Sequence, residues 1–157
     1  MRQFTATSGN SPSGIFRPAL GFLILAACAF SVAAQQRTPA PENAELYFIS
    51  PAAGATVSSP VTVRFGLRHM GVAPAGVLMD NTGHHHLLVN TDLPALDFPI
   101  INDDNHLHFG GGQTEATLEL PPGKHTLQLL LGDFAHIPHD PAVMSEQITI
   151  MVVRGGH

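Results

Sequence analysis

Ten histidines stand in a chain of 157 residues, and their spacing is what carries chemical content. His84-His85-His86, His106-Leu107-His108 and His136-Ile137-Pro138-His139 place imidazoles in three short groups. Imidazole is the commonest nitrogen ligand for zinc, copper and nickel. Residues two apart on a strand face the same way, so His84 with His86, and His106 with His108, can chelate as pairs. In the third group Pro138 and Pro141 stiffen the backbone, which lowers the entropy lost on ordering His136 and His139 as ligands. The candidate metal set is therefore His84, His86, His106, His108, His136 and His139. Copper is the first choice of ion, because it stands highest in the divalent affinity order and methionines lie close by. Zinc is next. Asp133 and Asp140 are candidate outer acceptors that could fix a histidine tautomer.

A plainer explanation stands beside the metal. Grouped histidines can form a hydrogen-bond network that locks loops and senses pH without any ion. Several residues fit structural roles better than ligation. His85 should point away from His84 and His86. His69 sits beside Arg68, whose charge opposes a cation. His157 follows Gly155-Gly156 and reads as a loose tail. Asn102-Asp103-Asp104-Asn105 lacks the spacing of an EF-hand loop and reads as a solvated turn. Gly110-Gly111-Gly112 reads as a loop tip with no cation near it.

The elements that must position these groups are strands. Val61, Val63, Phe65 and Leu67 alternate with polar or small residues, the pattern of a half-buried strand. The same period-two reading covers Ala44–Ile49, His84–Val89, Glu115–Leu120, Thr126–Leu131 and Ile148–Val152, with Phe98–Ile101 as the weakest member. No amphipathic helix stands out, and 13 prolines argue against long ones. The expected fold is all-β: an immunoglobulin-like antiparallel β-sandwich of about seven strands over residues 44–154. The phrase from Ile49-Ser50-Pro51 to Val61-Thr62-Val63 resembles the start of many bacterial immunoglobulin-like domains. Leu120-Pro121-Pro122-Gly123-Lys124-His125 resembles the corner where such sandwiches often carry a tyrosine bonded back to the chain, with His125 in its place. An up-and-down path through seven strands brings all the histidines except His125 and His157 to one pole. That convergence depends on Phe98–Ile101 being a strand.

The chain is divided at its start. Arg2 and Arg17 precede an uncharged run, Pro18–Ala34, and polar Gln35-Gln36 follow. This is the pattern of a secretory signal over residues 1–34, too short to favour a membrane span. Residues 35–43 read as a proline-bearing linker. Leu25-Ala26-Ala27-Cys28 resembles a lipobox, but the apolar stretch after Cys28 favours a cut after Val32-Ala33-Ala34. The protein is thus expected in the periplasm or outside the cell, with lipid anchoring through Cys28 the lesser alternative and no transmembrane segment after cleavage. Cys28 is the sole cysteine, so no intrachain disulfide is available. Lys124 is the sole lysine and the net charge is −5, so the basic stripe of a nucleic-acid binder is absent.

Four further phrases point to a family. Gly83-His84-His85-His86-Leu87-Leu88, His106-Leu107-His108-Phe109-Gly110, Gly112-Gln113-Thr114-Glu115-Ala116-Thr117 and His136-Ile137-Pro138-His139-Asp140-Pro141 together resemble a family of small secreted bacterial domains catalogued as a domain of unknown function. The resemblance covers most of Ile49–Val153. It implies export and one compact domain, and it brings no catalytic or metal assignment. His106-Leu107-His108 on a sandwich is also similar to copper–zinc superoxide dismutase, but that family's disulfide, active-site arginine and bridging histidine have no counterparts here. The likeness is one of chemistry rather than kinship. The function expected is a metal-binding carrier or buffer of the envelope, its partner the metal ion and an envelope protein left unspecified. The alternatives are a metal-free binding or structural module and, further off, a metalloenzyme. No general base stands out for the last, since Glu115 opens an alternating strand and faces water.

Overall fold

A computed structural model describes residues 37–154. The signal sequence, Cys28 and His157 lie outside the described residues. Nine strands form there: β1 (Glu45–Ser50), β2 (Thr56–Ser58), β3 (Val61–Arg68), β4 (Gly71–Val72), β5 (Thr82–Val89), β6 (His106–His108), β7 (Glu115–Leu118), β8 (Gly123–Gly132) and β9 (Ile148–Val153). Among the described residues no helix is long and apolar enough to cross a membrane.

The strands pair into two sheets, one in the order β1-β3-β7 and the other β2-β9-β8-β5-β4, with β6 also on β5. Side-chain alternation on each strand sends one set inward. Leu46, Val61, Val63 and Phe65 from the first sheet meet Leu87, Val89, Leu127, Leu129, Leu131, Ile150 and Val152 from the second. That closed apolar layer makes the domain an immunoglobulin-like β-sandwich, as expected. The outer face of the small sheet carries cross-strand ion pairs, Arg68 to Glu45 at 2.7 Å and Arg64 to Glu115 at 3.1 Å.

The second sheet is covered on both faces, which is why Leu129-Leu130-Leu131 reads as an unbroken apolar run. Outside the main core, Leu88, Leu130 and Ile100 make a second small cluster with Leu96 against it. The chain from Asn90 to Asn105 crosses this outer face. Phe98–Ile101 is not a strand but part of that crossing. Three short strands, β2, β4 and β6, are too brief to stand out as alternation.

His125 takes the corner role expected of it. Its Nε2–H donates to the Pro121 carbonyl at 2.8 Å, and its Nδ1 accepts from the Asn90 amide at 2.9 Å. Asn90 Oδ1 in turn accepts from the Thr126 amide at 3.0 Å. The residues read as a linker do not all hang free: the described part, from Arg37 onward, lies along the loop that carries His136 and His139.

Candidate metal centre

The site is built by register. On β5, Gly83, His85, Leu87 and Val89 face the core, and His84, His86 and Leu88 face outward. β8 sets Gly132 opposite His84 and Leu130 opposite His86. β6 pairs antiparallel on the other edge of β5, with His108 opposite His86. The loop after β8 then folds back over the sheet and brings His136 onto the same rings.

The ligand nitrogens of His84, His86 and His108 lie within 4.8 Å of one another. The His136 ring closes the fourth side, its centre 4.8 Å from His108, 4.9 Å from His84 and 6.2 Å from His86. The remaining separations are 4.8 Å for His84–His86, 5.0 Å for His84–His108 and 5.0 Å for His86–His108. His84 and His86 are fully buried, and His108 and His136 are half-buried. Both ring nitrogens of His84 and of His86, and Nε2 of His108, are buried without a hydrogen-bond partner. Buried polar atoms are paired in the great majority of cases, and each orphan costs about 1–3 kcal/mol. With one nitrogen offered by each ring, His84, His86 and His108 are a group of donors that could hold a metal ion.

Electrostatics agree. Burial pushes His84 down to about 4, helped by the neighbouring His136 and His108, with the Asp133 carboxylate opposing. Burial pushes His86 down to about 2, with His84, His108 and His136 adding to it. Burial also lowers His108, with His136 adding to it. His84, His86 and His108 are therefore neutral near pH 7 and offer lone pairs rather than positive charge.

Two glycines keep the space open. A Cβ at Gly132 would stand 2.8 Å from His86 Cε1 and 3.4 Å from His136 Cα. A Cβ at Gly110 would run into the His108 ring. Asp133 frames the turn that carries His136. It is 3% exposed, and its Oδ1 accepts from the amides of Ala135 at 2.8 Å and Ile137 at 2.9 Å. Between those amides His136 adopts a left-handed φ of 69°, a conformation that persists for a non-glycine residue only when its surroundings impose it.

The other expected ligands lie apart. His106 shares the outer face but sits opposite Leu88, two pairs further along, and its Nδ1 donates to Asp103 at 2.9 Å. The same Asp103 oxygen accepts from the amides of Asn105 and His106, so Asn102–Asn105 is a turn closed by its own carboxylate. His139 is on the core side of β5, where a Cβ at Gly83 would meet Leu131 and His139. Its Nε2–H donates to the Thr82 carbonyl at 3.1 Å. His85 packs on Phe65 at 5.1 Å between ring centres, and burial lowers it to about 4. The eight-histidine pole thus resolves into a four-histidine cluster on the outer face of the sheet. Asp133 and Asp140 hold backbone and neighbouring side chains rather than imidazole. Nothing in the local sequence marks Thr38 or Arg37 as belonging to this neighbourhood, because their partners are about a hundred positions away.

The architecture and the site together define a histidine-centred immunoglobulin-like sandwich. Residues 63–153 match the family described as Domain of unknown function (DUF4399). That is more than half of the chain, and the protein belongs to this family. No curated protein matches it. A solved structure of fibronectin(III)-like modules of Clostridium thermocellum CbhA is similar at 8% identity, covering 69% of this chain and 94% of that one with a TM-score of 0.34.

Proposed function

We propose that this is a metal-binding protein of the bacterial envelope. It holds one divalent ion of the copper–zinc class on His84, His86, His108 and His136, as a carrier or buffer. The observation that carries the reading is the convergence of four imidazoles, three of which, His84, His86 and His108, have buried nitrogens with no other partner. A loop-locking network requires the opposite, nitrogens already bonded to protein acceptors. His106 and His125 meet that requirement and His139 meets it at Nε2 alone, whereas His84, His86 and Nε2 of His108 do not.

Ring spacing bears on the ion. A metal–nitrogen bond of about 2.0–2.1 Å puts ring centres about 3.2 Å from the ion, hence about 5.2 Å apart round a tetrahedron, or about 4.5 and 6.4 Å round a square. Five separations of 4.8–5.0 Å and one of 6.2 Å lie nearer the tetrahedron, opened along His86–His136. That supports zinc at least as well as copper(II), which favours square-planar or tetragonal surroundings. The envelope setting is supported by the signal pattern of residues 1–34. Two surface grooves, one lined by Glu45, Tyr47 and Glu146 and the other by Asp92, Lys124 and Gln147, lie away from the four rings.

The test is calorimetric titration of the chelator-stripped protein with Zn(II) and Cu(II). Near-stoichiometric binding is expected, abolished by His84→Ala/His108→Ala and retained by His106→Ala and by His139→Ala. Binding no tighter than micromolar for both ions would sink the reading.

A further inference from the structure

The segment 37–40 does more than lead into β1. Arg37 Nε donates to the Pro138 carbonyl at 3.0 Å and its Nη2 donates to the His139 carbonyl. The same guanidinium lies 3.7 Å from Asp140 and 3.8 Å from Asp97. The Asp140 amide donates to the Thr38 carbonyl at 2.9 Å, and the Ala40 amide to the Asp140 carbonyl at 3.0 Å. These bonds lay Arg37–Ala40 alongside residues 138–140 as a short parallel strap.

Thr38 connects the strap to the cluster. Its hydroxyl donates to Asp133 Oδ2 at 2.6 Å. The other oxygen of that carboxylate holds the two amides on either side of His136. The terminal torsion of a carboxylate is soft, so engaging both oxygens restrains it further than engaging one. Thr38 engages the second oxygen, so the frame that imposes the left-handed turn at His136 is fixed from both ends. A metal site tolerates displacements of only about 0.2 Å in its bonds. Outer partners of metal ligands typically matter by about 10–100-fold in affinity.

We propose that the strap is a positioning element of the metal site, with Thr38 acting on His136 through Asp133 and Arg37 pinning the far end of the same loop. This rests on the four-histidine reading above. It makes metal affinity depend on residues that precede the first strand and touch none of the rings.

The experiment compares the full chain with Thr38→Val, Thr38→Ser and Asn90→Ala, the last of which loosens the His125 corner far from the site. Each is titrated with Zn(II), and Co(II) absorption reports the ligand field. Thr38→Val is expected to weaken Zn(II) about tenfold or more and to change the Co(II) spectrum away from that of four nitrogens in a tetrahedron. Thr38→Ser should restore both, and Asn90→Ala should bind as the parent does even where its melting temperature falls. Unchanged affinity and spectrum in Thr38→Val would overturn the proposal, as would an equal loss in Asn90→Ala. A parent protein that takes up neither ion is a different result: it removes the four-histidine reading, and the strap's role with it.

Discussion

Replacing His84 by leucine should make the metal-free protein more stable and the metal-loaded protein impossible. Both nitrogens of His84 are buried without a partner, and an unpaired buried polar group costs about 1–3 kcal/mol. Leucine removes both while keeping apolar contact with the neighbouring rings. A volume-conserving swap of this kind usually costs less than about 1.5 kcal/mol. The net expectation is a gain of about 1–3 kcal/mol in chelator, several degrees in melting temperature for a domain of this size. Zinc at a hundred times its dissociation constant should stabilise the parent by about 2.7 kcal/mol through mass action and leave the variant unmoved. Thermal melts followed by circular dichroism, with chelator and with zinc, then give a crossing order. The variant melts higher without metal and the parent gains only with it. A variant less stable than the parent in chelator by more than about 1 kcal/mol would refute the reasoning, since the nitrogens would then be making bonds that the fold depends on.

Two further outcomes follow from the same geometry. Gly132 does not have a left-handed φ, so alanine there brings no backbone strain, yet its Cβ would press on His86 Cε1 at 2.8 Å; Gly132→Ala should cost about 1–3 kcal/mol by overpacking and abolish tight zinc binding, and unaltered affinity by calorimetry would show that the His86 ring is free to move aside. In chelator the fold should also be acid-sensitive. His84 and His85 lie near 4 when folded against 6.5 when unfolded, so below pH 6.5 the unfolded chain takes up protons that the folded one refuses; stability is fully present above that pH and is lost as pH falls toward 4, and a melting temperature flat between pH 7.5 and pH 5.0 would contradict it.

Much of this architecture was legible in the chain, and the parts that were not share a cause. Period-two alternation marked β1, β3, β5, β7, β8 and β9, because each has one face on the sandwich core. It gave nothing for β6, whose three residues pair on β5 without a full alternation. It misread Phe98–Ile101, whose apolar residues serve the small outer cluster rather than a ladder: Ile100 packs on Leu88 and Leu130. The i, i+2 rule placed His84 and His86 on one face correctly. It could not separate His108 from His106, which also share a face, because the distinction is made by register against β5 and by Asp103. Likewise His136 and His139 look equivalent in sequence. The left-handed turn at His136 sends the two rings to opposite sides of the sheet, and that turn depends on a carboxylate held by a residue 95 positions away.

The placement of the cluster also constrains how an ion would arrive and leave. Strand alternation puts His84 and His86 on the outer face of a sheet whose inner face is the main core, so the site is buried without interrupting the apolar layer. These two rings ride on a strand paired on both edges, so their backbone cannot shift without unpairing it. His108 sits on a three-residue strand, and His136 on an irregular loop held by Asp133, by the strap and by the Ile100 amide, which donates to the His136 carbonyl at 2.9 Å. The widest ring separation, 6.2 Å, is the one between His86 and His136. On the proposed function, exchange would begin at His136: it is half-buried and it alone of the four sits on a loop rather than a strand. Loops open at far lower free energy than core strands do, so the bonds that fasten this loop would set the residence time of the ion. The proposed carrier role needs such an asymmetry, with three histidines on strands and one on a loop that can be released.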